Sequence, residues 1–100
     1  LILTVFRNRL RPDAGDEYGT TLARMLEIVS KMPGYIQHKV YTAADGERCT
    51  IVEFDTEEHQ RAWATHSEHV EAKRKGREDF YSEYRLQVCT VVRDSRFPKA

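Results

Sequence analysis

The sequence predicts an α+β fold of the ferredoxin-like βαββαβ split, a four-stranded antiparallel sheet with its helices on one face. Three observations point there. Strand-like and helix-like stretches follow one another as strand, helix, strand, strand, helix, strand. An Asp45-Gly46 hairpin signal falls between the second and third strands. The first and last strands are apolar on both parities, as in strands covered on both faces.

Each element has a local reason. Leu1 to Phe6 is an almost wholly apolar β-rich run that continues through Arg7-Asn8-Arg9-Leu10. Arg11-Pro12-Asp13 ends it: Pro12 suits a first helical position, and Asp13, Asp16 and Glu17 favour a helix N-terminus through the dipole. Tyr18, Leu22, Met25, Val29 and Met32 then recur at 4-3-4-3 spacing, one stripe of an amphipathic helix that Pro33-Gly34 terminates. Tyr35 to Tyr41 reads as a strand with Ile36, His38 and Val40 on one face, and Cys49 to Phe54 is its return. Asp55 or Thr56 caps the next helix, with Glu58 at capping-box spacing from Asp55. His59, Trp63 and His66 share a face of it. A break at Thr65 to Ser67 restarts the helix, Thr65 and Glu68 again standing at capping-box spacing, and Val70, Arg74, Arg77 and Tyr81 form the stripe of this third piece. Tyr84 to Val92 is the last strand. The expected organisation is one domain over residues 1–93 and a polar tail over 94–100.

With both helical elements on one face, the other face of the sheet has no cover of its own. A second subunit packed sheet to sheet is the simplest cover, so a homodimer is expected. Composition agrees. Leu, Ile, Val and Phe make up only 22 of the 100 residues, and 32% are charged, a thin core that a second copy would supplement.

Sixteen Lys and Arg balance sixteen Asp and Glu, so the chain lacks the basic surplus that nucleic acid or an anionic membrane surface would need. No stretch approaches the roughly 18 apolar residues of a membrane span. The N-terminus has neither the basic stretch nor the small-residue cleavage site of a signal peptide, and the missing Met at position 1 suggests a trimmed initiator. Cys49 and Cys89 lack CxxC or metal-ligand spacing, which leaves reduced thiols and a cytoplasmic location as the expectation.

Several segments resemble the antibiotic biosynthesis monooxygenase family. They are Val5-Phe6-Arg7-Asn8-Arg9-Leu10, the Met32-Pro33-Gly34-Tyr35 turn, Val52-Glu53-Phe54, Trp63-Ala64-Thr65-His66-Ser67-Glu68-His69, and Gly76 through Cys89. The likeness spans roughly residues 1–89. It implies a homodimeric α+β barrel with a pocket between sheet and helices in each subunit. The branches of known chemistry are quinone-forming oxygenases of polycyclic aromatics and heme-degrading monooxygenases, and neither uses a bound flavin or a dedicated metal. In the first, an electron-rich substrate anion reacts with oxygen itself. Asn8 and Trp63 match pocket positions of the family. The heme branch also places a His ten residues after the Trp, and here that position is Lys73.

The candidate residues each carry two readings. Asn8 lies on a mostly apolar face, either bonded to a neighbouring loop or donating to a substrate oxygen. Trp63, the only Trp, is a core anchor, a wall for a flat ligand, or both. His66 and His69 stand three apart without a carboxylate or Cys to complete a metal site, so no metal is expected. His66 either anchors the helix junction or, as the first candidate among the histidines, serves as a base, and His69 reads as solvated or locally bonded. His38, mid-strand, is an equal candidate to face the pocket, and Tyr81, Tyr84 and Arg85 line either the dimer seam or the pocket mouth. Lys73-Arg74-Lys75-Gly76-Arg77 is flanked by Glu68, Glu71, Glu78 and Asp79 and reads as an ion-paired helix face. No Ser-His-Asp triad, P-loop or dinucleotide fingerprint is present.

The functional expectation is a monooxygenase that needs no cofactor and oxidises a small aromatic or quinol-like metabolite with O2. Asn8, Trp63 and His66 would be catalytic, and His38 and Tyr81 would bind substrate. The alternative is a non-catalytic dimeric barrel that holds a small hydrophobic ligand, with a heme oxygenase third.

Overall fold

The computed structural model describes residues 1–98. Strand β1 (Ile2–Leu10) leads to helix α1 (Gly15–Val29), then to the hairpin β2 (Tyr35–Thr42) and β3 (Arg48–Phe54). Helices α2 (Glu57–Ala64) and α3 (Ser67–Lys75) follow, then a π-helical turn over Gly76–Phe80, and β4 (Tyr81–Thr90) closes the sheet. The sheet is antiparallel throughout in the order β2-β3-β1-β4, the ferredoxin-like arrangement expected from the element order.

Residues directly paired across strands share a face. Thr4 pairs with Val52 and Val88, Phe6 with Thr50 and Leu86, and Asn8 with Arg48 and Tyr84; this is the helix side. The core gathers there, where Ile2, Val29, Val52, Phe54 and Trp63 pack together with Met25, Leu26 and Met32 against them. The apolar stripe read from α1 is the one that faces the sheet. Phe54 is fully buried, and truncating a buried Phe to Ala typically costs about 3–5 kcal/mol.

Three boundaries differ from the sequence reading, and at the start of α2 the Thr56 alternative holds while the capping box does not form. Helix α1 begins at Gly15 rather than at Pro12: the Arg11 N–H pairs back to the Phe80 carbonyl (2.7 Å), and Gly15 turns the chain at φ +71°. Thr56 caps α2 by accepting from the His59 N–H (3.2 Å), while Asp55 binds the His59 ring (2.7 Å) instead of forming a box with Glu58. His66, not Thr65, caps α3, its Nδ1 accepting from the Glu68 N–H (3.2 Å). Finally, α3 stops at Lys75 and Tyr81 already starts β4, which ends at Thr90. The cause of the last is Gly76: a Cβ there would lie 2.6 Å from the Tyr81 ring, so the missing side chain is what lets the π-turn fold that ring inward.

The outer face of the sheet is narrower in apolar surface than expected. Leu3, Val5 and Ile51 lie on it, but β4 presents Glu83, Arg85, Gln87 and Cys89 there. Leu86 and Val88 instead stand on the helix side at the sheet edge, 47% and 48% exposed. Cys49 and Cys89 are free thiols on the two neighbours of β1, opposite Arg7 and Leu3. Among the described residues, no helix is long and apolar enough to cross a membrane.

Candidate functional site

A cavity of about 190 Å³ opens between the sheet and the helices. Its floor is the helix side of the sheet, with Thr4 and Phe6 of β1, Thr50 and Val52 of β3, and Leu86 of β4. One wall is the α1 stripe, Tyr18, Leu22, Met25 and Leu26. The opposite wall comes from α2 and α3, with Gln60, Trp63, His69 and Lys73. Phe80, Tyr81 and Tyr84 close the end delivered by the π-turn.

The aromatic end is tightly interlocked. Phe6 meets Tyr81 edge to face at 5.3 Å between centroids and Tyr84 at 5.6 Å, and Tyr18 meets Phe80 at 5.5 Å. Burial, with Tyr18 alongside, pushes the Tyr81 phenol well above its ordinary range. The phenol therefore stays protonated at neutral pH, a donor rather than an anion.

The other end is polar. The His69 imidazole lies flat on the Trp63 indole, centroids 4.0 Å apart and planes within 9°. Its Nδ1 is 3.0 Å from the Trp63 carbonyl oxygen, which can only accept, so Nδ1 carries the proton and Nε2 keeps its lone pair. Burial is the largest cause holding the His69 pKa down, to about 4, and the nearby Lys73 and His66 push the same way. His69 is thus a neutral imidazole at pH 7. One turn on, the Lys73 Nζ donates to the Ala64 carbonyl at the end of α2 (2.7 Å). On the floor, the Thr4 hydroxyl is buried without a partner among the described residues.

The structure brings Trp63 and Tyr81 to this cavity and leaves three other sequence candidates off its walls. His66 is spent as the cap of α3, its ring tilted 43° from Trp63 at 5.9 Å. His38 faces the helix side from β2 but is tied to the Tyr35 hydroxyl (2.6 Å). Asn8, 2% exposed, sits one row beyond Phe6 beside Arg48, and both its amide atoms lack a partner among the described residues. Arg48 rests over the Tyr18 ring at 5.5 Å. The sequence reading missed His69, Lys73 and Gln60 as wall residues. Gln60 was within reach of it, since it lies one turn before Trp63 on the same helix face. His69 was not, because the kink between α2 and α3 resets the helical phase. Among the described residues, no group of three His, Cys, Asp or Glu gathers as a metal site.

The site is a flat aromatic slot with an imidazole acceptor and a cation at one end, set under a ferredoxin-like sheet. The chain belongs to the antibiotic biosynthesis monooxygenase family, whose profile matches residues 1–75. It is 34% identical over 80 residues to the uncharacterized protein YqjZ of Bacillus subtilis (strain 168), covering 80% of this chain and 70% of that one. Among solved structures, it resembles Rv0793 from Mycobacterium tuberculosis (TM-score 0.82, 16% identity, 95% of this chain and 98% of that one). It also resembles SnoaB, a cofactor-independent oxygenase from Streptomyces nogalater (TM-score 0.78, 15% identity, 98% and 97%). At these identities the structural likeness is one of fold.

Proposed function

We propose that this protein is a cofactor-independent monooxygenase that oxidises a small aromatic, quinol-like metabolite with O2. The observation that carries the reading is the neutral His69 imidazole held flat on Trp63 in an aromatic-walled cavity. Family membership and the fold shared with SnoaB support it. Trp63 and Phe6 sandwich the ring, and His69 Nε2 takes the role first given to His66, receiving the proton of the substrate hydroxyl. A ligand anion beside the imidazole would raise its pKa from about 4 toward the range in which a general base works. Tyr81, at the opposite end of the slot, donates to a second ring oxygen onto which the conjugated ring spreads that charge. In a quinone-forming reaction of this kind, a ring CH2 becomes C=O. One atom of O2 stays on the carbon, and the other leaves as water with the two hydrogens, so no outside reductant is needed.

The reading includes a homodimer, supported by Leu3, Val5 and Ile51 on the outer sheet face. It also includes a reducing, cytoplasmic setting, supported by two free thiols. The heme-degrading branch fits poorly: the residue at its ligand position is Lys73, an amine already bonded to a carbonyl.

The test is oxygen uptake by chelator-treated protein across a panel of hydroquinones and anthrones. Saturable uptake with one O2 per substrate, lowered at least tenfold in His69→Ala, is expected. Rates equal to uncatalysed autoxidation across the panel would overturn the reading, and saturable binding without uptake would make the protein a plain binding barrel.

A further inference from the structure

The cavity wall carries a cation and no anion. Among the described residues around it, only Lys73 has a formal charge, and no Asp or Glu reaches the lining. Among the described residues, Lys73 also has no carboxylate within ion-pair distance, although most Lys and Arg on this surface do, including its helix neighbours Arg74 and Lys75. Its hydrogen bond to the Ala64 carbonyl occupies one of three N–H donors. The C-terminus of α2 contributes at most about half a negative charge through its dipole, so net positive charge remains.

Next to this cation stands an acceptor without a proton. His69 lies one helical turn before Lys73 on the same wall and is neutral, with Nε2 free of its proton. A half-buried ammonium facing an apolar slot is stabilised by a ligand that brings negative charge, and such charge-assisted pairs are the stronger hydrogen bonds. The buried Thr4 hydroxyl on the floor is a further donor without a partner.

Resting on the reading above, we propose that the site selects aromatic ligands bearing an acidic oxygen, a phenol, enol or carboxylate, and binds them as anions with that oxygen on the Lys73 ammonium. Lys73 is then the specificity-determining residue of the cavity. The ring lies on the Trp63 side and its body points toward Phe6 and Tyr81, while the acidic oxygen points along α3. A neutral aromatic of the same shape fills the slot but leaves the cation unmatched.

Trp63 is the only Trp and forms the wall, so its fluorescence reports occupancy directly. The experiment titrates the full chain with 2-naphthoate and with 2-naphthamide, planar probes of one shape and different charge. The carboxylate is expected to bind roughly ten- to hundredfold tighter than the amide. Lys73→Gln keeps a donor for the Ala64 carbonyl and removes the charge; it should bring the two probes within about threefold, while Lys73→Arg keeps the preference. Circular dichroism of each variant checks that it is folded. Equal binding of both probes by the native protein would overturn the proposal. So would a preference that survives in Lys73→Gln, or quenching by neither probe. Oxygen uptake is not read here, so an inactive protein that prefers the carboxylate would defeat only the oxygenase reading.

Discussion

His69 and Trp63 are held face to face by the same contact that fixes the imidazole tautomer. The Trp63 carbonyl takes the Nδ1 proton at 3.0 Å, and the two rings stack at 4.0 Å across the kink between α2 and α3. A single backbone acceptor thus ties the start of α3 to the end of α2, and it leaves Nε2 deprotonated beside the cavity.

Burial of the His69 ring, which outweighs the opposing effect of the Trp63 carbonyl, has a pH signature. In the unfolded chain a His titrates near 6.5, whereas folded His69 titrates near 4. Between those values the unfolded state binds more protons, so stability is full above pH 6.5 and falls as pH drops toward 4. The loss should reach up to about 3 kcal/mol, less whatever solvent screening removes. Urea melts at pH 7.5 and 4.5 should show this drop in the native protein and a clearly smaller one in His69→Gln.

Gly76 should not tolerate a methyl group. Its φ of −56° is helical, so Ala brings no backbone strain, but the new Cβ would stand 2.6 Å from the Tyr81 ring. Gly76→Ala should lose roughly 1–3 kcal/mol in thermal or urea unfolding, although Ala is the better helix former. An Ala variant as stable as the parent would show that Tyr81 does not need its place against the π-turn.

The outer face of the sheet should hold the second subunit through Val5 and its cross-strand neighbour Ile51. Light scattering at micromolar concentration should give twice the 11.7 kDa chain mass, and Val5→Lys should give the single mass with the fold intact. A folded monomer in the native protein would remove the dimer from the proposed function.

Hemin should find no ligand at position 73. The Lys73 ammonium donates to the Ala64 carbonyl and must lose a proton before it can ligate iron. Titration should give no saturable Soret shift. A stoichiometric histidine-ligated spectrum that vanishes in His69→Ala would place the cavity in the heme branch instead.

The architecture was legible because its signals are local. The 4-3-4-3 stripe of α1, the Asp45-Gly46 turn and the apolar run of β1 each specify their own element, and strand order follows from the few ways to connect them. Trp63 and Tyr81 were also legible as pocket candidates, through their chemistry and through family resemblance. His66 drew attention because it stands three residues after Trp63, a helical spacing that holds only while the helix continues. The helix breaks there, at the junction the sequence itself signals over Thr65 to Ser67, and the His66 ring turns back to cap the next one, the anchoring role also read for it.

By itself the sequence determined the order of elements, the core face of α1 and the absence of a large charge surplus, all of which depend on short-range periodicity and on counting. The tertiary structure alone decided which polar groups face the cavity. His69 and Lys73 reach it because α3 leaves α2 at a kink, spanned by the His69 stack on Trp63 and the Lys73 bond to Ala64. Tyr81 reaches it because the ring packs where Gly76 has no side chain. Those directions come from contacts between segments, and no period within one segment encodes them.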